Sequence, residues 1–186
     1  MRTGELEDAL SFIDKHFVFL ESKDGSLSTI DSILDRAKQA VHRLGIRGLI
    51  IDPYNYIARS GADAEHQFIN DMLTKVTSFA QAYGVAVFFV AHPAKMYPKE
   101  DGTYAIPKGM SISGSAAWFS KADIGLTVHR GSGGVEIHCW KVRHKWIGKQ
   151  GMAVLQYDVP TGRYFDGTPD GQWGAAPKNN LDDLEF

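Results

Sequence analysis

Cysteine is scarce in this chain of 186 residues, and long apolar runs are missing. The single cysteine, Cys139, cannot form an intramolecular disulfide, so nothing in the sequence requires an oxidising compartment. The longest apolar stretch, residues 85–91, is much shorter than the ~18 residues that a membrane span needs. The first residues include no apolar segment of the kind found in secretory signals. We therefore expect a cytoplasmic protein that makes no membrane contact.

Several catalytic motifs are also missing. No Gly-x-Ser-x-Gly motif is present, which argues against a serine hydrolase of that type. His138 and Cys139 are adjacent and would face opposite sides of a strand, so with His144 they lack metal-ligand spacing. The glycine-rich segments 131–134 and 148–151 do not match Gly-x-x-x-x-Gly-Lys-Ser/Thr. These residues therefore contain no phosphate-binding P-loop.

The composition is that of a globular domain, but its charge is unevenly distributed. The chain is 44% hydrophobic and 23% charged, with a formal net charge of -2. Residues 92–149 carry nine Lys and Arg against four Asp and Glu, whereas acidic residues exceed basic ones on either side. Such a basic block is a candidate surface for phosphates or nucleic acid, the alternative being an ordinary solvated face.

Apolar periodicity predicts alternating strands and helices in the first half of the chain. The predicted elements are a strand at 17–20 before a turn at 23–26, a helix from Ser28 to Gly45, a strand at 48–51, a helix at 63–83 ended by Gly84, and a strand at 85–90. The last two strands are continuously apolar rather than alternating. We therefore expect a parallel sheet that helices cover on both faces.

The second half of the chain has a different pattern. Residues 91–112 lack periodicity and are too long for a simple connection, which indicates a functional loop. A short helix near 114–121 is predicted next, followed by strands at 124–129, 135–142 and 152–157. The glycine-rich linkers between these strands favour antiparallel hairpins that close the sheet. We expect one domain over residues 1–165 and an acidic, disordered tail over 166–186.

Polar residues follow the predicted strands at their carboxyl ends, which is where ligands bind to open parallel sheets. Asp52 could hold Mg²⁺ through water, although a turn or capping role is an alternative. His92 could contact a phosphate, the alternative being a histidine satisfied by the backbone. Lys141 and Arg143 share a strand face that suits phosphate, although such pairs are also common on solvated strands.

The order of four motifs resembles a known family. Residues 49–55, 90–93, 112–123 and 141–143 are similar to the later half of the RecA-like motor of DnaB-type ring helicases. Within that group they most resemble the toprim-linked primase-helicases of phages, bacteria and mitochondria, the Twinkle-like proteins. The resemblance covers residues 17–165. It implies an α/β, RecA-like (P-loop NTPase) three-layer fold with C-terminal antiparallel hairpins, lacking its N-terminal P-loop portion.

The resemblance implies nucleotide-binding roles for five residues. Asp52 corresponds to the Walker B aspartate that positions Mg²⁺ on ATP or another NTP, and Asn55 follows it in the same nucleotide-binding motif. His92 corresponds to the residue that senses the γ-phosphate. Lys141 and Arg143 correspond to a pair that reaches the ATP of a neighbouring subunit, with Arg143 as the arginine finger. The active site would then be shared between subunits of a ring, expected to be a hexamer.

The resemblance also implies a contact with single-stranded DNA. The loop from 94 to 112 corresponds to a central-channel loop, in which Lys95, Lys99 and Lys108 would hold the DNA backbone. Ser113, directly after the loop, joins these candidate DNA-binding residues. Such a contact carries no sequence preference, because it is made to phosphates rather than to base edges.

The family's P-loop, catalytic glutamate and toprim domain are not among these residues. We therefore interpret the chain as part of a longer ATP-dependent replicative helicase, and expect it alone neither to hydrolyse ATP nor to bind Mg²⁺ or ATP tightly. The acidic tail ending at Phe186 could dock on replisome proteins, the alternative being a solvated end. Two other interpretations stay open: another RecA-like ring ATPase, such as a recombinase or plasmid helicase, and a stand-alone, non-catalytic RecA-like scaffold.

Overall fold

A computed structural model describes residues 3–21, 28–59, 64–98, 100, 102, 104–112, 114, 116–131 and 133–166. The helices in these ranges are α1 Thr3–His16, α2 Ile30–Leu44, α3 Glu65–Tyr83 and α4 Ala117–Lys121. The strands are β1 Gly48–Ile51, β2 Ala86–Phe89, β3 Ile124–Gly131, β4 Gly134–Val142, β5 Gly151–Asp158 and β6 Arg163–Asp166. The chain divides into two compact units, residues 1–64 with 74–91, and residues 65–73 with 92–186.

The first unit contains the predicted parallel strand pair. β1 and β2 pair in parallel, with Gly48 opposite Ala86 and Ile51 opposite Phe89. α2 and the second half of α3 supply half of the buried hydrophobic side chains of this unit. Two strands connected through a helix are expected to pair in this way. The prediction of a parallel pair at this point of the chain is therefore confirmed.

The ends of α2 show which residues stop and start a helix here. Thr29, rather than the predicted Ser28, is the N-cap, and its side chain accepts a hydrogen bond from the backbone N–H of Ser32 at 3.2 Å. Gly45 ends the helix in the left-handed conformation, at φ 67°. Glycine adopts this conformation without steric cost, so the predicted end of the helix is confirmed.

The predicted strand at 17–20 is wrong. Residues Thr3–His16 form α1 instead, and the four residues after it belong to no strand. Leu6, Leu10 and Ile13 recur at helical spacing, a signal that the sequence analysis missed. These α1 side chains are exposed, as are the apolar side chains at 17–20. The predicted turn at 23–26 lies outside the described residues.

The expectation that helices cover both faces of the parallel pair is also wrong for the described residues. Leu49 and Ile51 of β1 are buried, whereas Ile50 is 61% and Phe88 58% exposed. Successive side chains on a strand point to opposite faces, so these exposures separate a covered face from an open one. Continuously apolar strands predicted burial on both faces, but only one face is buried.

The second unit contains a four-stranded antiparallel sheet in the order β3-β4-β5-β6. Val128 pairs with Ile137, and Val135 pairs with Leu155. The predicted hairpins are confirmed, and β6 is an additional strand that the sequence analysis placed in no element. The expectation that the hairpins close the first sheet is wrong, because the ladder hydrogen bonds of the described residues form two separate sheets.

Other boundaries shift by a few residues. α3 begins at Glu65 and α4 at Ala117, slightly later than predicted. Apart from Asp166, which ends β6, the predicted tail lies outside the described residues, as does Phe186. Among the helices that the structure describes, none combines the length and the apolar character needed to cross a membrane.

Candidate nucleotide and nucleic-acid sites

Arg143 lies just past the end of β4 and holds the C-terminal end of α4. Its backbone N–H donates to the Asp123 carbonyl at 2.8 Å, which extends the pairing of β3 and β4 by one step. Its Nε forms an ion pair with Asp123 Oδ1 at 2.8 Å. Its Nη2 donates to the carbonyls of Ser120 at 2.9 Å and Lys121 at 3.0 Å. The guanidinium therefore satisfies helix-end carbonyls that have no partner within α4.

Lys141 reaches the same helix end from within β4. Its Nζ donates to the carbonyls of Phe119 and Ser120, the latter at 3.1 Å, and lies 4.9 Å from the centroid of the Phe119 ring. Burial lowers the pKa of Lys141, the positive charge of Arg143 lowers the pKa further, and the carboxylate of Asp123 opposes both. The structure therefore brings the predicted cation pair together, on the end of α4.

One side of the Arg143 guanidinium stays open. The side chain is 42% exposed, and its hydrogen bonds to the described residues use Nε and Nη2 but not Nη1. A guanidinium has five N–H donors in a planar fork, so donors stay available for an anion. The Asp123 contact limits how far the head group can turn. Arg143 is thus both anchored and accessible.

The contact made by Asp123 is not predicted from the sequence, in which Asp123 is only the end of a motif. The sequence does contain a carboxylate shortly after a predicted helix, with two cations on a later predicted strand, but it does not show that these residues meet. Only the β3–β4 register, which pairs Gly125 with Lys141, places Asp123 beside Arg143. Antiparallel register depends on turn length and packing, so the sequence alone did not identify the pair.

Asp52 and Asn55 lie at the carboxyl end of β1 in the first unit. The Val90 backbone N–H donates to the Ile51 carbonyl at 2.9 Å, and the Tyr54 N–H donates to the Val90 carbonyl at 2.9 Å. These bonds fasten the segment after β1 to the segment after β2. The side chains of Asp52 and Asn55 are exposed at this edge. The predicted position of Asp52, at the end of a parallel strand, is as expected.

The residues at this edge suit magnesium only in a limited way. Mg²⁺ prefers oxygen ligands and keeps several waters, so one exposed carboxylate such as Asp52 can contribute through water when phosphates supply other ligands. No group of three or more His, Cys, Asp or Glu residues suited to a metal occurs in the part of the chain that the structure describes. Asp52 therefore fits Mg²⁺ as one oxygen ligand that acts through water.

The predicted DNA loop is closed at its base in the second unit. Pro93 and Ile112 form an isolated antiparallel bridge, and the Ala94 N–H donates to the Ser111 carbonyl at 2.8 Å. Lys95 on the first arm and Lys108 on the second are exposed. Lys99 and Ser113 lie outside the described residues. The structure therefore shows a loop with a fixed base and two exposed cations on its described arms.

The second arm of this loop is anchored on the antiparallel sheet. Thr127 Oγ1 donates to the Pro107 carbonyl at 2.6 Å and accepts a hydrogen bond from Trp140 Nε1 at 3.0 Å. Gly109 is buried, and a Cβ there would lie 2.6 Å from the Trp140 ring and 3.0 Å from Phe119 Cα. Glycine therefore lets this arm approach the stacked Phe119 and Trp140 rings. The sequence analysis did not identify this anchor.

His92 is exposed, two residues before the loop. It belongs to the second unit, whereas Asp52 belongs to the first. The expectation that Asp52 and His92 reach one crevice therefore stays a prediction.

The fold and these positions define a class of protein. A parallel strand pair connected through a helix, a polar residue at its carboxyl edge, and a following set of antiparallel strands match an α/β, RecA-like segment. The predicted α/β, RecA-like fold class with antiparallel hairpins after the parallel strands is confirmed.

Comparison with known proteins narrows this class. No family model matches the chain. The chain is 39% identical over 175 residues to Twinkle homolog protein, chloroplastic/mitochondrial, of Arabidopsis thaliana. The matched part is 89% of this chain and 24% of that protein, so the chain spans about a quarter of the length of the curated relative it matches. The chain is therefore similar to a segment of a Twinkle homologue.

Proposed function

We propose that the chain is the later half of the RecA-like motor of an ATP-dependent replicative DNA helicase, within a longer primase-helicase that carries a toprim domain elsewhere. The 39% identity to a Twinkle homologue over 89% of the chain carries this proposal. The anchored cation pair and the loop with a fixed base support it, because a motor needs both a phosphate contact and a DNA contact.

In the proposed mechanism, Arg143 acts in the active site of a neighbouring subunit of a ring. Its free Nη1 edge contacts the γ-phosphate of ATP, while Lys141 and Asp123 hold the strand end and the guanidinium in place. Charge-assisted hydrogen bonds from a guanidinium stabilise the charge that develops on the transferring phosphoryl group. An arginine finger of this kind contributes ~10³-fold or more to the rate of hydrolysis.

The other nucleotide contacts come from the strand ends. Asp52 would hold Mg²⁺ through water, and the ion would neutralise phosphate charge when bound. Asn55 lies three residues further on at the same edge. His92 contacts the γ-phosphate and transmits its presence to the loop that begins two residues later. The loop then holds DNA phosphates through Lys95, Lys99 and Lys108, with Ser113 at its end.

Arg143 variants of a longer protein that contains this segment test the finger. We expect Arg143→Ala to lower DNA-stimulated ATP hydrolysis by ~10³-fold, and Arg143→Lys to restore little, because a point charge lacks the planar fork. Lys38→Gln, an exposed cation on α2, is the matched control. Hydrolysis by mixed rings should fall with the fraction of variant subunits. Unchanged hydrolysis by Arg143→Ala would refute the role.

A hydrolysis assay on the 186-residue chain tests the prediction that these residues alone, without a P-loop, do not hydrolyse ATP. We expect no DNA-stimulated hydrolysis, since no residue of the chain forms a phosphate-binding loop. The Asp52→Asn variant separates true activity from a contaminant: hydrolysis that the purified chain performs and this variant loses would contradict the assignment of the chain to half of a motor.

A second candidate function is a non-catalytic scaffold, and one observation favours it. Lys141 and Arg143 both bind carbonyls at the end of α4, a structural use that requires no nucleotide. In a scaffold, Arg143→Ala would lower the free energy of unfolding without affecting hydrolysis by the longer protein. Measuring both quantities on the same variant therefore decides between the two functions.

Compartment and tail partners stay predictions. The Arabidopsis relative is chloroplastic/mitochondrial by its name, which does not fix the compartment of this chain. For the tail, we propose docking of Phe186 on a replication protein. If deletion of Phe186 left binding to every replication partner tested unchanged, this proposal would be refuted.

A further inference from the structure

A groove in the second unit lies beside the turn between β3 and β4, and we name it the hairpin groove. Its volume is about 340 Å³, and it is lined by Arg130, Val135 and Tyr157 together with glycines of the turn. Val135 is only 6% exposed and gives the groove an apolar wall, whereas Arg130 and Tyr157 are exposed. Ligand pockets begin at roughly 300 Å³, so the groove fits one or two side chains of a binding segment.

The walls of the hairpin groove are fixed by contacts within the sheet. The side-chain amide of Gln156 donates to the Gly133 carbonyl at 2.6 Å and fastens the turn to β5. At Gly134, φ is 139° and a Cβ would lie 2.7 Å from a backbone oxygen of β5, an approach that glycine permits. The Tyr157 and Tyr164 rings lie 4.9 Å apart. A groove held in this way loses little conformational entropy when a ligand binds.

Arg130 brings an uncompensated positive charge to this groove. In the described part of the chain, its side chain has neither a hydrogen bond nor an ion pair. Glu136 is the single acidic residue of β3 and β4, and it is bound to His138 at 2.7 Å. Because successive strand residues alternate, Glu136 also faces away from Val135 and the groove. An available guanidinium beside an aromatic ring suits a segment that carries both carboxylates and apolar side chains.

The last six residues of the chain have this composition. Residues 181–186 are three acidic and three apolar residues, with Phe186 as the aromatic one. By contrast, residues 171–178, which include Trp173, contain no Asp or Glu. Opposite charge therefore favours 181–186 over the neighbouring part of the tail as the segment that meets Arg130.

The strand register places the start of the tail in line with Arg130. Arg130 pairs with Val135, Val135 with Leu155, and Leu155 with Asp166, which ends β6. Adjacent strands lie ~4.8 Å apart, so Asp166 and Arg130 are separated by roughly 14 Å. Residues 167–180 can span up to roughly 46 Å when extended, which exceeds this distance. A tether of this length raises the local concentration of residues 181–186 at the groove to about millimolar.

We infer that residues 181–186 dock in the hairpin groove of the same chain, with their carboxylates at Arg130 and the Phe186 ring against Tyr157. The groove is remote from the proposed nucleotide contact, because Arg143 follows the far end of β4, roughly 26 Å from Val135 at ~3.3 Å per residue. The inference does not rest on the proposed function. Docking in the groove occupies Phe186, so it competes with binding of the tail to another protein.

The experiment measures paramagnetic broadening of backbone amide signals by NMR in the full 186-residue chain. A spin label is attached at Asn180→Cys in a Cys139→Ser background, which leaves one thiol to label. A millimolar local concentration and a dissociation constant of similar size leave about half of the molecules docked. We therefore expect the signals of Gly131, Gly133 and Gln156, around the groove, to be broadened relative to the reduced label.

Variants test the two contacts separately. Arg130→Gln should lower the docking equilibrium constant by about two- to fivefold, as expected for one exposed ion pair. Arg163→Gln is the matched control, because Arg163 is exposed and, next to Tyr164 in β6, faces the other side of the sheet. Phe186→Ala should lower the constant by about two- to tenfold through loss of the aromatic contact. Trp173→Ala should leave the broadening unchanged.

Three results would overturn the inference. The first is an absence of broadening around the groove in the labelled chain. The second is equal broadening with and without the Arg130→Gln substitution. The third is broadening of an isotope-labelled chain by a spin label carried on a separate copy, which would make the tail a link between copies. No replication protein is present in these samples, so failure of the proposed partner docking is distinguishable. Circular dichroism checks that each variant is folded.

Discussion

Adding one methyl group at Gly125 should destabilise the second unit. Gly125 lies in β3 next to a register shift, beneath the ring of Trp140. A Cβ on Gly125 would lie 2.5 Å from Trp140 Cε3 and closer still to two other ring atoms. Real Cβ atoms do not approach other atoms so closely, so the ring has to move. Its movement breaks the hydrogen bond to Thr127, which also holds Pro107.

The size of the effect follows from these contacts. Forcing an extra methyl group into a packed site costs about 1–3 kcal/mol. Loss of the Trp140 to Thr127 hydrogen bond adds about 1 kcal/mol. Gly125→Ala should therefore lower the free energy of unfolding by about 2–4 kcal/mol, which lowers Tm by roughly 5–15 °C in a chain of this size.

Urea unfolding followed by circular dichroism measures this change. Gly151→Ala in β5 is the matched control, because a Cβ there would have no heavy atom within 4 Å, and it should change stability by less than about 0.5 kcal/mol. A second substitution, Trp140→Leu, removes the obstructing ring. The loss in the double variant should therefore be smaller than the sum of the two single losses. Equal stability of Gly125→Ala and wild type would refute the packing argument.

Two further predictions concern a glycine and a lysine of the second unit. Gly114→Ala should cost about 1–3 kcal/mol, because φ is 91° there and a Cβ would lie 2.5 Å from Ile69 Cδ1; a thermal melt that matches the wild type would contradict this. The pKa of Lys141, measured by NMR titration of its side chain, should lie below 10.5, and Asp123→Asn should lower it further. As pH rises, Lys141 should then lose its proton in the folded state before it does so in the unfolded state. The contribution of Lys141 to the free energy of unfolding should therefore increase between the folded-state pKa and 10.5. A measured pKa above 10.5 would contradict the burial argument.

The antiparallel strands were predictable because their signals are local. Glycine-rich linkers and short apolar runs identify hairpins within a few residues of sequence, and β3, β4 and β5 lie where those signals place them. α1 was not predicted because the apolar pattern was interpreted only from residue 17 onward, beyond the end of this helix. Helical spacing over residues 6–13 was available and would have corrected the interpretation.

In the candidate sites, too, some features follow from local sequence and others do not. A polar residue after an apolar strand is a local pattern, so the position of Asp52 at the edge of the parallel pair followed from sequence. That Arg143 pairs with Asp123, and that Trp140 covers Gly125 and supports the loop arm at Pro107, depends on residues separated along the chain. Such contacts follow from strand register and packing, which local patterns do not contain.

Apolar periodicity and glycine positions in the sequence account for the order of elements from α2 to β5, because helix stops and hairpin turns depend on a few neighbouring residues. The tertiary structure alone decided that only one face of the parallel pair is buried, that the hairpins form a separate sheet, and that α4 receives Lys141 and Arg143. The physical reason is that burial and ion pairing depend on which distant segments meet. The free energy of these contacts depends on the packing of the whole folded chain.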